Sequence, residues 1–167
     1  MKNTWSKEYP EFTPNVSPTE MFLAGIFGGQ YFYCPEINAD PEYFRQIIHP
    51  DFLAECKELG IMQRYLNSYS FGSQTNYYYQ GFCGSTYKTW KKNNWLNSEI
   101  PYGWVNWYIN FYYGTRTSQD ARQIARWKSF TARHIGMLKK YRKKGQATAK
   151  TQQNLLHWAY FEQKLKK

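Results

Sequence analysis

The chain has 167 residues, enough for one domain that buries about 70% of its unfolded surface and too few for two. Aromatic residues make up 20% of it, with 16 Tyr, 11 Phe and 7 Trp, so large rings must supply much of a core and extended disorder is excluded. The net charge of +10 lies in one part, because residues 1–100 hold 8 Lys plus Arg against 10 Asp plus Glu while residues 101–167 hold 14 against 2.

In chain order, residues 1–16 show two prolines and little periodicity, which predicts an extended N-terminal arm packed by Trp5, Tyr9 and Phe12. Ser17-Pro18-Thr19-Glu20 is a helix start with Ser as the N-cap, Pro at the first helical position and Glu completing a capping box. Gly28-Gly29 ends that helix by Phe27, and Gln30 to Cys34 reads as a short strand. Two short helices follow near 41–48 and 50–59, the second closed by Gly60. Residues 67–84 read as loop with one strand around Tyr77-Tyr78-Tyr79, and a short helix from Ser85 to Lys92 turns Trp90 and the following Trp95 inward.

The segment from Trp104 to Tyr113 alternates as a strand does, yet Pro101 suits a first helical turn, Trp104, Trp107 and Phe111 share a helical face, and Gly114 is placed to end it. Helix is the reading adopted. The next helix is the clearest, from Ser118 to about Lys143, with Thr117 and Asp120 as a capping box. Its residues Ile124, Trp127, Thr131, Ile135 and Leu138 fall within an arc of roughly 80°, a core stripe. Arg122, Arg126, Ser129, Arg133 and Lys140 fall within an arc of about 60° on the opposite side, which holds no acidic residue. A polar loop at 144–151 and a last helix from about Gln152 to Leu165 complete the chain. The expected fold class is α+β, predominantly α-helical, a single domain over 1–167 with a few short strands in the N-terminal half and a basic helical portion over 101–167.

Charge asymmetry of this size points to a polyanionic partner, and nucleic acid is the leading one. The expected phosphate contacts are Arg122, Arg126, Arg133 and Lys140, with Arg116 and the cluster Lys139, Lys143 and Lys144 in support. Exposed rings at Tyr77, Tyr78 and Tyr79 would stack on bases, unless those tyrosines fill the core instead. DNA and RNA, single strand and duplex, all remain open. Two alternatives stand beside simple binding. One is a base-processing enzyme or nuclease in which Asp120 or Glu99 would carry a proton. The other is a structural or assembly protein, possibly viral, that meets an acidic partner. The glycine-rich phosphate loop, the GxSxG elbow and the HExxH motif are all missing.

Cys34, Cys56 and Cys83, with His49, His134 and His157, are scattered without zinc-ligand spacing, so neither a disulfide framework nor a metal is expected, and no cofactor is implied. There is no run of about 18 apolar residues and no apolar leader after Met1, so the expected setting is intracellular, cytoplasmic or nuclear, without membrane contact and not secreted.

Several landmarks occur together. They are Glu11-Phe12-Thr13-Pro14-Asn15, Phe27-Gly28-Gly29 followed by aromatics, Pro101-Tyr102-Gly103-Trp104 with Trp107, then Tyr112, Gly114 and Arg116. Asp120 with Arg122-Gln123-Ile124, Arg126-Trp127 and the closing Trp158-Ala159-Tyr160 complete the set. In these the chain resembles a family of small basic, Trp/Tyr-rich proteins associated with viral and eukaryotic genomes. The resemblance implies a shared fold over most of the chain and carries no activity or cofactor.

Overall fold

The computed structural model describes residues 4–32, 45–61 and 76–166. Its helices are α1 (Pro18–Leu23), α2 (Pro50–Glu58), α3 (Tyr87–Lys92), α4 (Trp104–Tyr112), α5 (Asp120–Lys143) and α6 (Ala149–Leu156), with 3-10 turns at Ile26–Gly29 and Glu162–Lys166. The expected α+β class is overturned: among the described residues there is no strand, and the one β-type pairing is an isolated bridge from Asn97 to Ile100. The strand expected at Gln30–Cys34 fails because Phe27, Gly28 and Gly29 all take positive φ, coiling the chain into a 3-10 turn. Tyr31 and Phe32 are then both buried, without the alternation a strand imposes. Cys34 lies outside the described residues, as do the start of the helix expected over 41–48 and residues 67–75 of the expected loop. Tyr77 and Tyr78 form bends, and Tyr79 is irregular, so no strand forms there.

Helix α4 is the centre. Eight of its nine residues are buried, and a helix apolar on every side has to be enclosed by the rest of the chain. The N-terminal arm covers one side: Trp5 and Phe12 are fully enclosed, and the Phe12 ring meets Trp107, Tyr108, Phe111 and, from α5, Trp127 at centroid distances of 5.6, 5.9, 5.7 and 5.0 Å. Several polar atoms within this core are taken up by main-chain carbonyls. Trp5 Nε1 donates to Phe12 O (3.0 Å), Tyr108 Oη to Val16 O (2.7 Å), and Asn106 and Asn110 Nδ2 both donate to Ile47 O (3.0 and 2.8 Å). Such pairing matters because an unsatisfied buried donor costs about 1–3 kcal/mol.

Local signals place the shorter elements. Ser17 and Glu20 form the expected capping box on α1, but the helix stops at Leu23, sooner than expected, because Gly25 turns the chain at φ 72°. His49 caps α2 through Nδ1, and Gly60 follows its end at φ 66°. The last helix starts at Ala149 and ends at Leu156, well short of Leu165, where Ala159 at φ 57° turns the chain back. Asn15 then clamps that turn, accepting from Phe161 N (2.7 Å) and donating to Phe161 O (3.1 Å).

Helix α5 begins at Asp120, two residues later than the sequence suggests, and the connection from Tyr113 to Gln119 is longer than a helix-turn-helix turn of three or four residues. Asp120 is buried and accepts from Trp107 Nε1 (2.8 Å), Thr117 N (3.1 Å) and Thr117 Oγ1 (3.1 Å). One carboxylate thus closes the start of α5 and fastens it to α4. Asp120→Ala orphans the Trp107 indole and the Thr117 amide together, so we expect a loss of about 2–4 kcal/mol in urea unfolding, with Asp120→Asn losing less because an acceptor oxygen remains.

Candidate nucleic-acid interface

Helix α5 buries Ile124, Trp127, Thr131 and Leu138 as the core stripe requires, with Ile135 half-buried. Its opposite face is where the basic residues stand. Arg122, Arg126 and Arg133 line one shallow groove with Ser129, Phe130 and Trp158, a space of about 430 Å³. Arg126 is half-buried, donates to Gln123 Oε1 (2.8 Å) and lies 5.5 Å above the Trp158 ring, while Arg133 lies 5.8 Å from the Phe130 ring. Burial, reinforced by the neighbouring Arg122 charge, pulls the Arg126 pKa below its ordinary value.

Beneath these arginines the rings form a near-parallel column. His134 stacks on Phe130 (3.8 Å, 16°), Phe130 on Trp158 (4.5 Å, 15°), and Trp158 meets Trp104 (4.9 Å, 32°). Trp104 in turn stacks on Tyr108 in the core (5.1 Å, 19°). Indole donors hold it in place, with Trp104 Nε1 bonded to Gln123 O (3.2 Å) and Trp127 Nε1 to Trp158 O (2.7 Å). His134 Nδ1 meets Phe130 O (3.0 Å), and burial lowers its pKa, so the imidazole belongs to the stack.

A second, more enclosed cavity of about 250 Å³ adjoins the groove, since Arg126, Phe130 and Trp158 line both. Its far wall includes His157, which is buried and holds a single tautomer. Tyr78 N donates to Gln153 Oε1 (2.9 Å), which leaves Gln153 Nε2 to donate to His157 Nε2 (2.9 Å). Phe27 N donates to the same nitrogen (3.2 Å), and the Phe27 ring stacks on the imidazole at 3.9 Å. The ring proton therefore sits on Nδ1, and burial holds the His157 pKa down at about 3.

The remaining sequence-predicted residues divide. Lys139, Lys140, Lys143 and Lys144 surround a shallow depression beside Gly136, further along α5. Arg116 is tied to the arm: it pairs with Glu8 (3.1 Å), donates to Phe111 O and sits 4.1 Å above the Phe111 ring. Tyr77 to Tyr79 do not line the arginine groove. Tyr77 and Tyr78 pack edge-on against Phe161 (4.9 and 5.9 Å), and Tyr79 lies beneath Lys150. Tyr77 keeps 52% of its surface exposed. Neither carboxylate considered for proton transfer lines the groove or the cavity: Asp120 is engaged at the start of α5, and Glu99 accepts from Ser118 Oγ (2.7 Å). Burial raises the thiol pKa of both Cys56 and Cys83, and neither is disulfide-bonded. Among the described residues no group of three His, Cys, Asp or Glu could hold a metal, and no helix is long and apolar enough to cross a membrane.

The chain matches no protein-family model, no curated protein and no solved structure. Its chemistry has to be read from the side chains. Guanidinium groups beside exposed ring edges can hold phosphates and stack on planar groups at once, a combination that lone surface lysines lack. Sequence patterns do not reveal the ring column, because Trp104 and Trp158 are far apart in the chain. One part was legible: Arg126, Phe130 and His134 follow at i, i+4 and i+8, which puts an aromatic pair along the edge of the basic arc.

His157 gives this region a pH signature. Its folded pKa is lowered, so between about pH 3 and 6.5 the unfolded chain binds a proton that the folded chain refuses. The stability it contributes is complete above about pH 6.5 and falls by about 1.4 kcal/mol per pH unit below it. In urea unfolding at pH 7 and pH 5, we expect His157→Asn to show a shallower loss than the wild type by close to one proton. Equal slopes would show that His157 titrates alike in both states.

Proposed function

We propose that the protein binds nucleic acid, with the outer face of α5 set against the sugar-phosphate backbone. The observation that carries this reading is how the arginines are used. Arg116 and Arg142 are each engaged by a carboxylate, Arg142 bidentately with Glu162 (2.5 and 2.7 Å), and both fasten distant parts of the chain. Arg122, Arg126 and Arg133 have no carboxylate partner among the described residues, and all three line one groove. Burying the Arg126 guanidinium with the Arg122 charge beside it is unfavourable until an anion arrives, and the lowered Arg126 pKa expresses that cost. Phosphate oxygens would relieve it with charge-assisted, planar hydrogen bonds. The lysines around Gly136 extend the positive surface along the helix axis, which suits a polymer better than a small anion.

A surface that engages about four phosphates should lose roughly 50- to 150-fold in affinity between 50 and 200 mM salt. Replacing Arg122, Arg126 and Arg133 by Gln should flatten that salt dependence by about two to three units of slope, with the far-ultraviolet circular dichroism unchanged. Fluorescence anisotropy with labelled oligonucleotides reads both effects. Absence of binding at 50 mM salt would refute the assignment, and competition by polyglutamate equal to that by an oligonucleotide would move it to an acidic protein partner.

A further inference from the structure

The cavity beside the arginine groove is more enclosed than phosphate binding requires. It shares Arg126, Phe130 and Trp158 with the groove and is lined further by Phe27, Trp90 and Trp104. Gly103 and Gly84 stand beside the Trp90 and Phe27 rings, which a Cβ at either position would meet in ordinary contact, at 3.9 and 3.5 Å. Trp95, expected to point inward, instead lines this cavity with 52% of its surface exposed. At about 250 Å³ the space is smaller than the range of about 300–1,000 Å³ that drug-sized ligands fill, and suits one planar ring system.

Charge decides what kind of ring. Aromatic cages that hold quaternary ammonium groups work because the ring faces are the negative element. Here no carboxylate lines the cavity among the described residues, and the Arg126 guanidinium already supplies positive charge on its wall. A cation is therefore disfavoured, and a neutral ring joined to an anion fits both halves. The polar groups on the wall, the Asn154 amide and the Ser85 hydroxyl, can each donate and accept, as the edge of a heteroaromatic base requires. Phe27 adds an independent sign. It is not glycine, yet it stands at φ 54°, held by its N–H bond to His157 and by stacking on that ring. Backbone strain of this kind persists where the surroundings impose it, and it clusters at ligand sites.

We infer that this cavity takes a single unpaired nucleobase whose flanking phosphates lie on Arg122, Arg126 and Arg133. The inference rests on the nucleic-acid reading above and narrows it to a partner with a base free of its complement: a single strand, a strand end or an extruded nucleotide. A base inside an intact duplex cannot enter, because its faces are covered by its neighbours and its edge by its partner. Inside, the base would lie among the indoles of Trp90, Trp95, Trp104 and Trp158, and stacking on such rings tolerates any base.

The deciding experiment compares three labelled probes of equal length at 50 mM salt: a thymidine strand, the same strand made of abasic sugar-phosphates, and a duplex. We expect the abasic strand to bind about 5- to 150-fold more weakly than the thymidine strand, the span that one stacked base covers, with an unchanged salt slope. Trp95→Ala, at an exposed position that leaves the core intact, and Ser85→Phe, which fills the space, should each bring the thymidine strand towards the abasic one. Equal binding of thymidine and abasic strands overturns the base site while leaving phosphate binding in place. Failure of every probe overturns both. Preference for the duplex, or Trp95→Ala and Ser85→Phe proteins that still separate the two strands as the wild type does, would remove the cavity from the interface.

Discussion

A helix buried on every side must find partners for the polar atoms its side chains carry, and in this protein that requirement arranges what surrounds α4. Its rings supply apolar area, but each indole N–H and phenol O–H taken from water needs an acceptor. Trp107 finds Asp120, Trp104 finds the Gln123 carbonyl and Tyr108 finds the Val16 carbonyl. Asn106 and Asn110 converge on Ile47 O, and Asn110 Oδ1 also accepts from His49 N (2.7 Å). Packing alone would tolerate small rotations of the neighbouring elements. Directional bonds from a fixed central helix do not, so the arm, the segment before α2 and the first turns of α5 are all oriented by α4.

The candidate interface inherits that geometry. Since Trp107 and Trp104 grip α5 at Asp120 and Gln123, its outward face is decided at its first turn, and Arg122, Arg126 and Arg133 follow from the helical repeat. Trp127 then bonds to the carbonyl of Trp158, which places the Trp158 ring against Phe130 and below Arg126. The ring column that begins in the core at Tyr108 and Trp104 therefore surfaces beside the basic groove. A platform anchored in this way is preorganised, so little side-chain entropy is lost when a planar group stacks on it.

Charge is distributed on the same logic. Three carboxylates clasp basic side chains over long range: Glu8 on Arg116, Glu20 on Lys164, and Glu162 on Arg142, with Gln152 also bonded to Glu162. Exposed pairs of this kind contribute little stability individually. Their consequence is spatial, because they neutralise positive charge where the chain folds back on itself and leave Arg122, Arg126 and Arg133 of the groove without such a clasp among the described residues.

Much of the chain was legible from local chemistry. The capping box at Ser17, the cap at His49, Gly60 after α2, the core stripe of α5 and its one-sided basic face depend on residues within a turn or two of one another, and local backbone physics settles them wherever the segment lies. The missing strands, the early end of α6 and the outward position of Trp95 were not legible. Positive φ at Phe27 and Ala159 is unfavourable for those residues in isolation and is accompanied by bonds to His157 and Asn15 from the far end of the chain. The base-sized cavity belongs to the same class, since Phe27, Trp95, Trp104, Arg126 and Trp158 are brought together by the burial of α4 and by bonds across the chain. The sequence by itself determined that a basic, aromatic-edged helix would exist here. Only the tertiary structure decided which rings stand beside its arginines, because that depends on where each buried indole finds its acceptor.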